Sequence, residues 1–212
     1  MKKILVINPN SSKEMTQAID TTVQSYASNR FDADTVCLEG APPFIGCCAD
    51  QVRAGTFLLD MIQQKEALYD GFIVACHLDP CLDGAKETTR KPVMGIGEVS
   101  MRMAPLLGRT FSVVGSSPAT TLLKRRLVEK YGLERFMASV RAPGTDWEGS
   151  QEEKLIRAAA QAVKEDGAEV IVLGCAGFSG LDRRIEAAVG VPVLDGVVCA
   201  LIAMEGILQY KG

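Results

Sequence analysis

The strongest constraint on this chain is a pattern that occurs twice. Ile73-Val74-Ala75-Cys76 and, about a hundred residues later, Val172-Leu173-Gly174-Cys175 both run from apolar residues through a small residue to a cysteine. Each is followed by a Pro-Val pair, Pro92-Val93 in the first half and Pro192-Val193 in the second. An earlier match precedes them, Ile4-Leu5-Val6-Ile7 against Phe111-Ser112-Val113-Val114. Short runs that are apolar on both faces and bounded by turn residues suit strands of a parallel sheet covered by helices. Three segments that agree in order and nearly in spacing imply two similar lobes.

The clearest strands are expected at 4–7, 71–75, 111–114 and 170–173, with weaker ones at 35–38 and 192–194. Helical patterns lie between them at 12–26, 51–67, 99–107, 119–131, 151–165, 181–189 and 197–210. Ser12 is placed to cap the first, on which Met15, Ile19 and Val23 share a face. Alternation of strand and helix is the mark of an α/β fold. The expected architecture is two pseudo-symmetric α/β lobes, each a short parallel sheet flanked by helices, with the active site in the cleft between them. Residues 1–97 form the first lobe, with a C-terminal helix at about 197–212 packing back on it, and residues 98–196 form the second.

Composition narrows the chemistry. The 212 residues carry 23 basic and 26 acidic side chains, a net charge of −3. No long basic run is present, so neither nucleic acid nor an anionic membrane surface is an expected partner. The longest apolar stretch, Gly196 to Met204, is about half a membrane span. Lys2 and Lys3 precede too few apolar residues for a secretory signal, and a cytoplasmic location is expected. Seven cysteines are an odd number without a disulfide framework, which predicts thiols. The single histidine leaves Cys, Lys, Asp or Glu to carry most proton transfer.

Ligands of open parallel sheets bind beyond the carboxyl ends of the strands, where Cys76 and Cys175 both stand. A thiolate and a thiol on opposite sides of one carbon can remove a proton from one face and return one to the other. Backbone N–H groups at His77–Leu78 and Ala176–Gly177 are candidate anion nests for a thiolate or an enolate oxygen. No cofactor is required for such a reaction, and a small-molecule substrate is the expected partner.

Several segments resemble the hydantoin and allantoin racemases of the aspartate/glutamate racemase superfamily. They are Val6-Ile7-Asn8-Pro9-Asn10-Ser11-Ser12 with Met15-Thr16; Ala75-Cys76-His77-Leu78-Asp79-Pro80 with Leu82-Asp83; and Val93-Met94-Gly95-Ile96-Gly97-Glu98. Val172-Leu173-Gly174-Cys175-Ala176-Gly177 and Gly190-Val191-Pro192-Val193-Leu194-Asp195-Gly196 complete the set. The resemblance implies a cofactor-independent isomerase with Cys76 and Cys175 as its acid–base pair. It also implies Asn10, Ser116 and Ser117 at the substrate, where the nest-forming turn residues His77, Leu78, Ala176 and Gly177 are expected as well, and homo-oligomers are common among such two-lobed enzymes. An aspartate- or glutamate-type amino-acid racemase and a non-catalytic thiol sensor are the alternatives.

The chain departs from the family pattern at His77, Leu78, Cys81 and Ser116, and in the segment around Ile45, Cys47 and Cys48, which is assigned as a specificity loop. His77 has two readings, a functional one as a cation or donor beside Cys76 or a specificity wall, and a plain one as a solvated loop residue. Among Cys47, Cys48, Cys76, His77 and Cys81 only Cys76 and Cys81 have the spacing of zinc ligands, and the adjacency of Cys47 and Cys48 is awkward for one tetrahedral site, so no metal is expected. Cys37 and Cys199 are expected in the core. Gly95-Ile96-Gly97 lacks the third glycine of a dinucleotide fingerprint. Lys124-Arg125-Arg126 is expected on a solvated helix face. Trp147 is a lid, a dimer contact or an exposed turn.

Overall fold

The computed structural model describes residues 2–211. By its internal contacts the chain divides into two compact units, Met1–Val99 with Val197–Gly212, and Ser100–Gly196. Each contains one four-stranded parallel sheet.

In the first unit the order along the chain is β1 (Lys3–Asn8), α1 (Lys13–Ala27), β2 (Asp32–Cys37), α2 (Cys48–Lys65), β3 (Gly71–Val74), α3 (Leu82–Thr88) and β4 (Val93–Gly95). Helix α4 (Ile96–Met103) leads out of it. The sheet order is β2-β1-β3-β4. The interior strands β1 and β3 are buried almost throughout, as continuous apolar runs require when helices cover both faces. One side of the sheet packs Leu5, Ile7, Phe72 and Val74 against Leu58 and Ile62 of α2. The edge strand β2 carries Asp32, Asp34 and Thr35, and only part of its surface is covered.

The second unit repeats the plan with β5 (Phe111–Val114), α5 (Thr121–Lys130), β6 (Met137–Arg141), α6 (Gln151–Asp166), β7 (Val170–Leu173), α7 (Asp182–Val189) and β8 (Val193–Leu194). Its sheet order is β6-β5-β7-β8. Helix α8 (Gly196–Lys211) follows and belongs mainly to the first unit. Phe111, Val113, Val170 and Val172 face α5 residues Leu127 and Val128, while Val114, Ile171 and Leu173 face Ala158, Ala159 and Ala162 of α6. Ser150 and Glu153 close α6 with a capping box, and Gly167 ends it at φ 71°.

Two elements are absent from the sequence expectations. Helix α3 is a short segment containing Gly84 that starts after two left-handed residues, Asp79 and Cys81. Strand β6 is a short edge strand with a serine in its centre, and Ser139 meets Ser112 of β5 through a buried hydroxyl pair at 2.8 Å. The expected 51–67 helix begins earlier, at Cys48, and ends at Lys65. Cys199 is buried as expected. Cys37 is not: it ends the edge strand β2, half-exposed, beside a hollow shared with Phe57 and Met61.

Candidate functional site

The strand ends repeat atom for atom in hydrogen bonding. In the first unit, Ala75 N–H donates to the Ile7 carbonyl at 2.8 Å, and Asp79 N–H donates to the Cys76 carbonyl at 2.9 Å. In the second, Gly174 N–H donates to the Val114 carbonyl at 2.8 Å, and Phe178 N–H donates to the Cys175 carbonyl at 3.1 Å. The Pro92 and Pro192 carbonyls likewise accept from Phe72 and Ile171 at 3.0 and 2.9 Å. Cys76 and Cys175 therefore stand two residues beyond the third strand of their sheets, each opening a tight turn. Every residue from Gly71 to Pro80 is buried except Cys76. From Val170 to Ala176 the same is true except for Cys175. All seven cysteines are thiols rather than disulfide halves.

Asn10 stands in the loop after β1, the strand that pairs with β3. Its carbonyl oxygen accepts from Ser12 N–H and from the Asn8 amide, both at 2.9 Å, and its own amide approaches the Met15 sulfur at 3.3 Å. The side chain thus braces the loop, while Ser12 caps α1 by accepting from Met15 N–H. His77 and Leu78 are buried within the turn itself. With only 1% of its surface exposed, His77 is not the solvated loop residue that was one of its two readings.

Asp79 explains the glycine-rich segment that follows β4. Its carboxylate accepts from Gly97 N–H at 3.1 Å and from Glu98 N–H at 2.6 Å, at the start of α4. A Cβ at Gly95 would lie 2.2 Å from that carboxylate, and one at Gly97 would lie 2.5 Å from the His77 carbonyl. Only glycine lets the Cys76 turn and the start of α4 approach this closely. Asp195 makes the counterpart connection in the second unit, accepting from Ser179 Oγ at 3.2 Å and Gly180 N–H at 2.9 Å. Neither aspartate was singled out from the sequence, although each immediately follows or precedes a glycine-, proline- or cysteine-bearing turn.

In the second unit, Ser116 and Ser117 follow β5, the neighbour of β7. They line a cavity of about 330 Å³ with Pro143, Gln151, Lys154 and Phe178. Ser117 also caps the following turn by accepting from Ala119 N–H. Ala176 and Gly177 form the short turn after Cys175, and the Gly177 N–H favours the thiolate form of Cys175. Burial pushes the Cys175 thiol above its ordinary value, while that N–H and the charge of Lys124 pull it back.

Lys124 overturns an expectation. It is 3% exposed rather than solvated, and its ammonium donates to the Gly174 carbonyl at 2.6 Å. A spacing signal was present, because Lys124 shares the buried face of α5 with Leu127 and Val128. Trp147 is half-buried against the α6 side of the core, with Arg157 stacked 4.1 Å from its ring centre.

The remaining cysteines have local roles. Cys47 precedes α2 and donates to Asp50 at 3.1 Å; together with Gly46 N–H it holds the Asp50 carboxyl below its ordinary value. Cys47 and Cys48 are exposed, whereas Ile45 beside them is buried. Cys81 has a φ of 51°, a left-handed conformation that favours glycine, and Gly55 of α2 leaves the space its sulfur fills.

Residues 4–204 match the family described as Asp/Glu/Hydantoin racemase. The chain is 34% identical to the hydantoin racemase of Paenarthrobacter aurescens over 214 residues, covering 97% of this chain and 91% of that one. The solved allantoin racemase from Klebsiella pneumoniae superposes with a TM-score of 0.94 at 33% identity, covering 100% of this chain and 89% of the other. The allantoin racemase of Pseudomonas fluorescens gives 0.92 at 29% identity, covering 99% and 92%. The doubled sheet, the repeated cysteine turns and these likenesses lead to one conclusion: the chain belongs to the Asp/Glu/hydantoin racemase family, and is by that membership an isomerase.

Proposed function

We propose that this protein is a cofactor-independent racemase of small cyclic amides of the hydantoin or allantoin kind, with Cys76 and Cys175 as its acid–base pair. The observation that carries the reading is the matched environment of the two sulfurs. Each belongs to a partly exposed residue that directly follows a fully buried strand and its small next residue, at the same place in a repeated sheet. The alignment of the whole chain with hydantoin and allantoin racemases supports the substrate class.

One thiolate takes the proton from the stereogenic ring carbon beside a carbonyl, and the C–H electron pair passes into the carbonyl to form an enolate. The other thiol gives its proton to the opposite face of that carbon, which inverts the centre. The thiol and thiolate have then exchanged roles, and proton exchange with solvent restores the starting state. Turn N–H groups after each cysteine, with the Ser116 hydroxyl and the Asn10 amide, are assigned to the enolate oxygen. Stabilising charge where it develops is the dominant contribution in reactions of this kind.

Replacing Cys76 and Cys175 singly with Ser tests the assignment on enantiopure hydantoins and allantoin. Racemisation followed by polarimetry is expected to fall roughly 10³-fold in each variant. In deuterated solvent, each variant should still exchange the proton of one enantiomer, and the two variants should choose opposite enantiomers. Full racemisation by either variant would remove the two-thiol mechanism. Turnover of aspartate or glutamate in place of the cyclic amides would move the substrate class and leave the thiols in place.

A further inference from the structure

A lysine buried beneath a strand end is unusual, because an ammonium in a low-dielectric setting needs partners to stay charged. Lys124 is held by the Gly174 carbonyl at 2.6 Å, one residue before Cys175. Gly115, at the end of the neighbouring strand, makes this possible. A Cβ there would lie 2.8 Å from Lys124 Cε and 3.2 Å from Cδ, so the lysine stem occupies the volume that a side chain would take. Gly174 is similarly crowded, with a Cβ position 2.9 Å from Val113 and 3.0 Å from the Val114 carbonyl. Gly115 therefore leaves the room through which the Lys124 side chain reaches from α5 to the carbonyl that precedes Cys175, while Gly174 lets the two strand ends lie close together.

We propose that Lys124 is a positioning residue for Cys175: its ammonium, seated in the space left by Gly115 and anchored on the Gly174 carbonyl, supplies the positive charge that stabilises Cys175 as a thiolate. This role rests on the two-thiol reading above, since it matters only if Cys175 must carry a negative charge in each catalytic cycle. The anchor has a mechanical part as well. A carbonyl bonded to an ammonium fixes the peptide plane just before Cys175, and so the direction in which that turn begins. The Gly177 N–H, in the turn itself, also favours the thiolate. The two act from different elements, one from a helix and one from the turn itself.

Charge and anchoring are separated by substitution. Lys124→Gln keeps a donor for the Gly174 carbonyl and removes the charge, whereas Lys124→Arg keeps both. Alkylation of Cys175 by iodoacetamide at neutral pH, read on its own peptide by mass spectrometry, reports its thiolate fraction. Loss of the charge is expected to slow that alkylation about tenfold, the equivalent of one pKa unit. Lys124→Arg should restore the rate, and ultraviolet thiolate absorbance should follow the same order. Circular dichroism confirms that the variants are folded; if Gln is not tolerated, Lys124→Met makes the same comparison. Unchanged alkylation in a folded, uncharged variant would overturn the proposal. That outcome is distinct from failure of the two-thiol reading, in which Cys175→Ser racemises normally whatever Lys124 does.

Discussion

Asp79 adopts a left-handed backbone, φ 45°, and from there reaches two N–H groups at the start of α4. Left-handed geometry is tolerated by Asp and Asn better than by most residues, and an ionised acceptor at a helix N-terminus is stabilised by the helix dipole. Asp79→Ala should cost about 2–3 kcal/mol, because two donors at a buried helix start lose their acceptor. Asp79→Asn keeps one acceptor oxygen and should cost clearly less. Urea unfolding of the two variants measures the difference, and equal losses would show that hydrogen bonding is not the cause. At this scale the sequence was partly legible. Cys76 and Cys175 stood out because they repeat. The Asp79 contact did not, because its partners are 18 and 19 positions away. Lys124 sits in a run whose two neighbouring arginines give it the look of a solvated face, although its spacing from Leu127 and Val128 places it on the buried one.

Elements differ in how plainly local sequence announces them. The interior strands β1, β3, β5 and β7 are continuous apolar runs and were expected nearly where they lie. The edges are polar, since only part of their surface is covered, and that is why β6 escaped notice and β2 was placed a few residues late. Strand β6 is fastened instead by Arg141, which donates to Asp166 of α6 through Nε at 2.5 Å and Nη2 at 2.8 Å. Hydrogen bonding from Arg141 is the main reason the Asp166 carboxyl lies below its ordinary value of 3.8, with burial acting in the opposite sense. A carboxyl with a lowered folded value contributes stability that is fully present above its unfolded value and lost as pH falls through the folded one. Asp166→Asn should therefore cost about 1–2 kcal/mol at neutral pH. The gap from the parent protein should narrow from roughly pH 4 downward. Denaturant unfolding across that range checks the sign, and a gap that stays constant in acid contradicts it.

For the whole molecule, the proposed two-thiol mechanism requires Cys76 and Cys175 to behave as a unit, and the effects of such residues do not add. The Cys76→Ser/Cys175→Ser double variant should racemise within about tenfold of the slower single variant. Independent sites would instead multiply their losses, and steady-state rates with one cyclic amide distinguish the two outcomes. By itself the sequence determined the doubled α/β plan, the interior strands and the two equivalent cysteines. Those features rest on hydrophobic runs a few residues long and on repetition, both of which are local and additive. Only the tertiary structure decided that Asp79 ties the Cys76 turn to α4, that Gly55 accommodates Cys81, and that Lys124 lies under Gly174. Each of these joins residues from different elements across a gap of a few ångströms. Such a gap is set by which helix packs on which strand, and by the glycines that let them close.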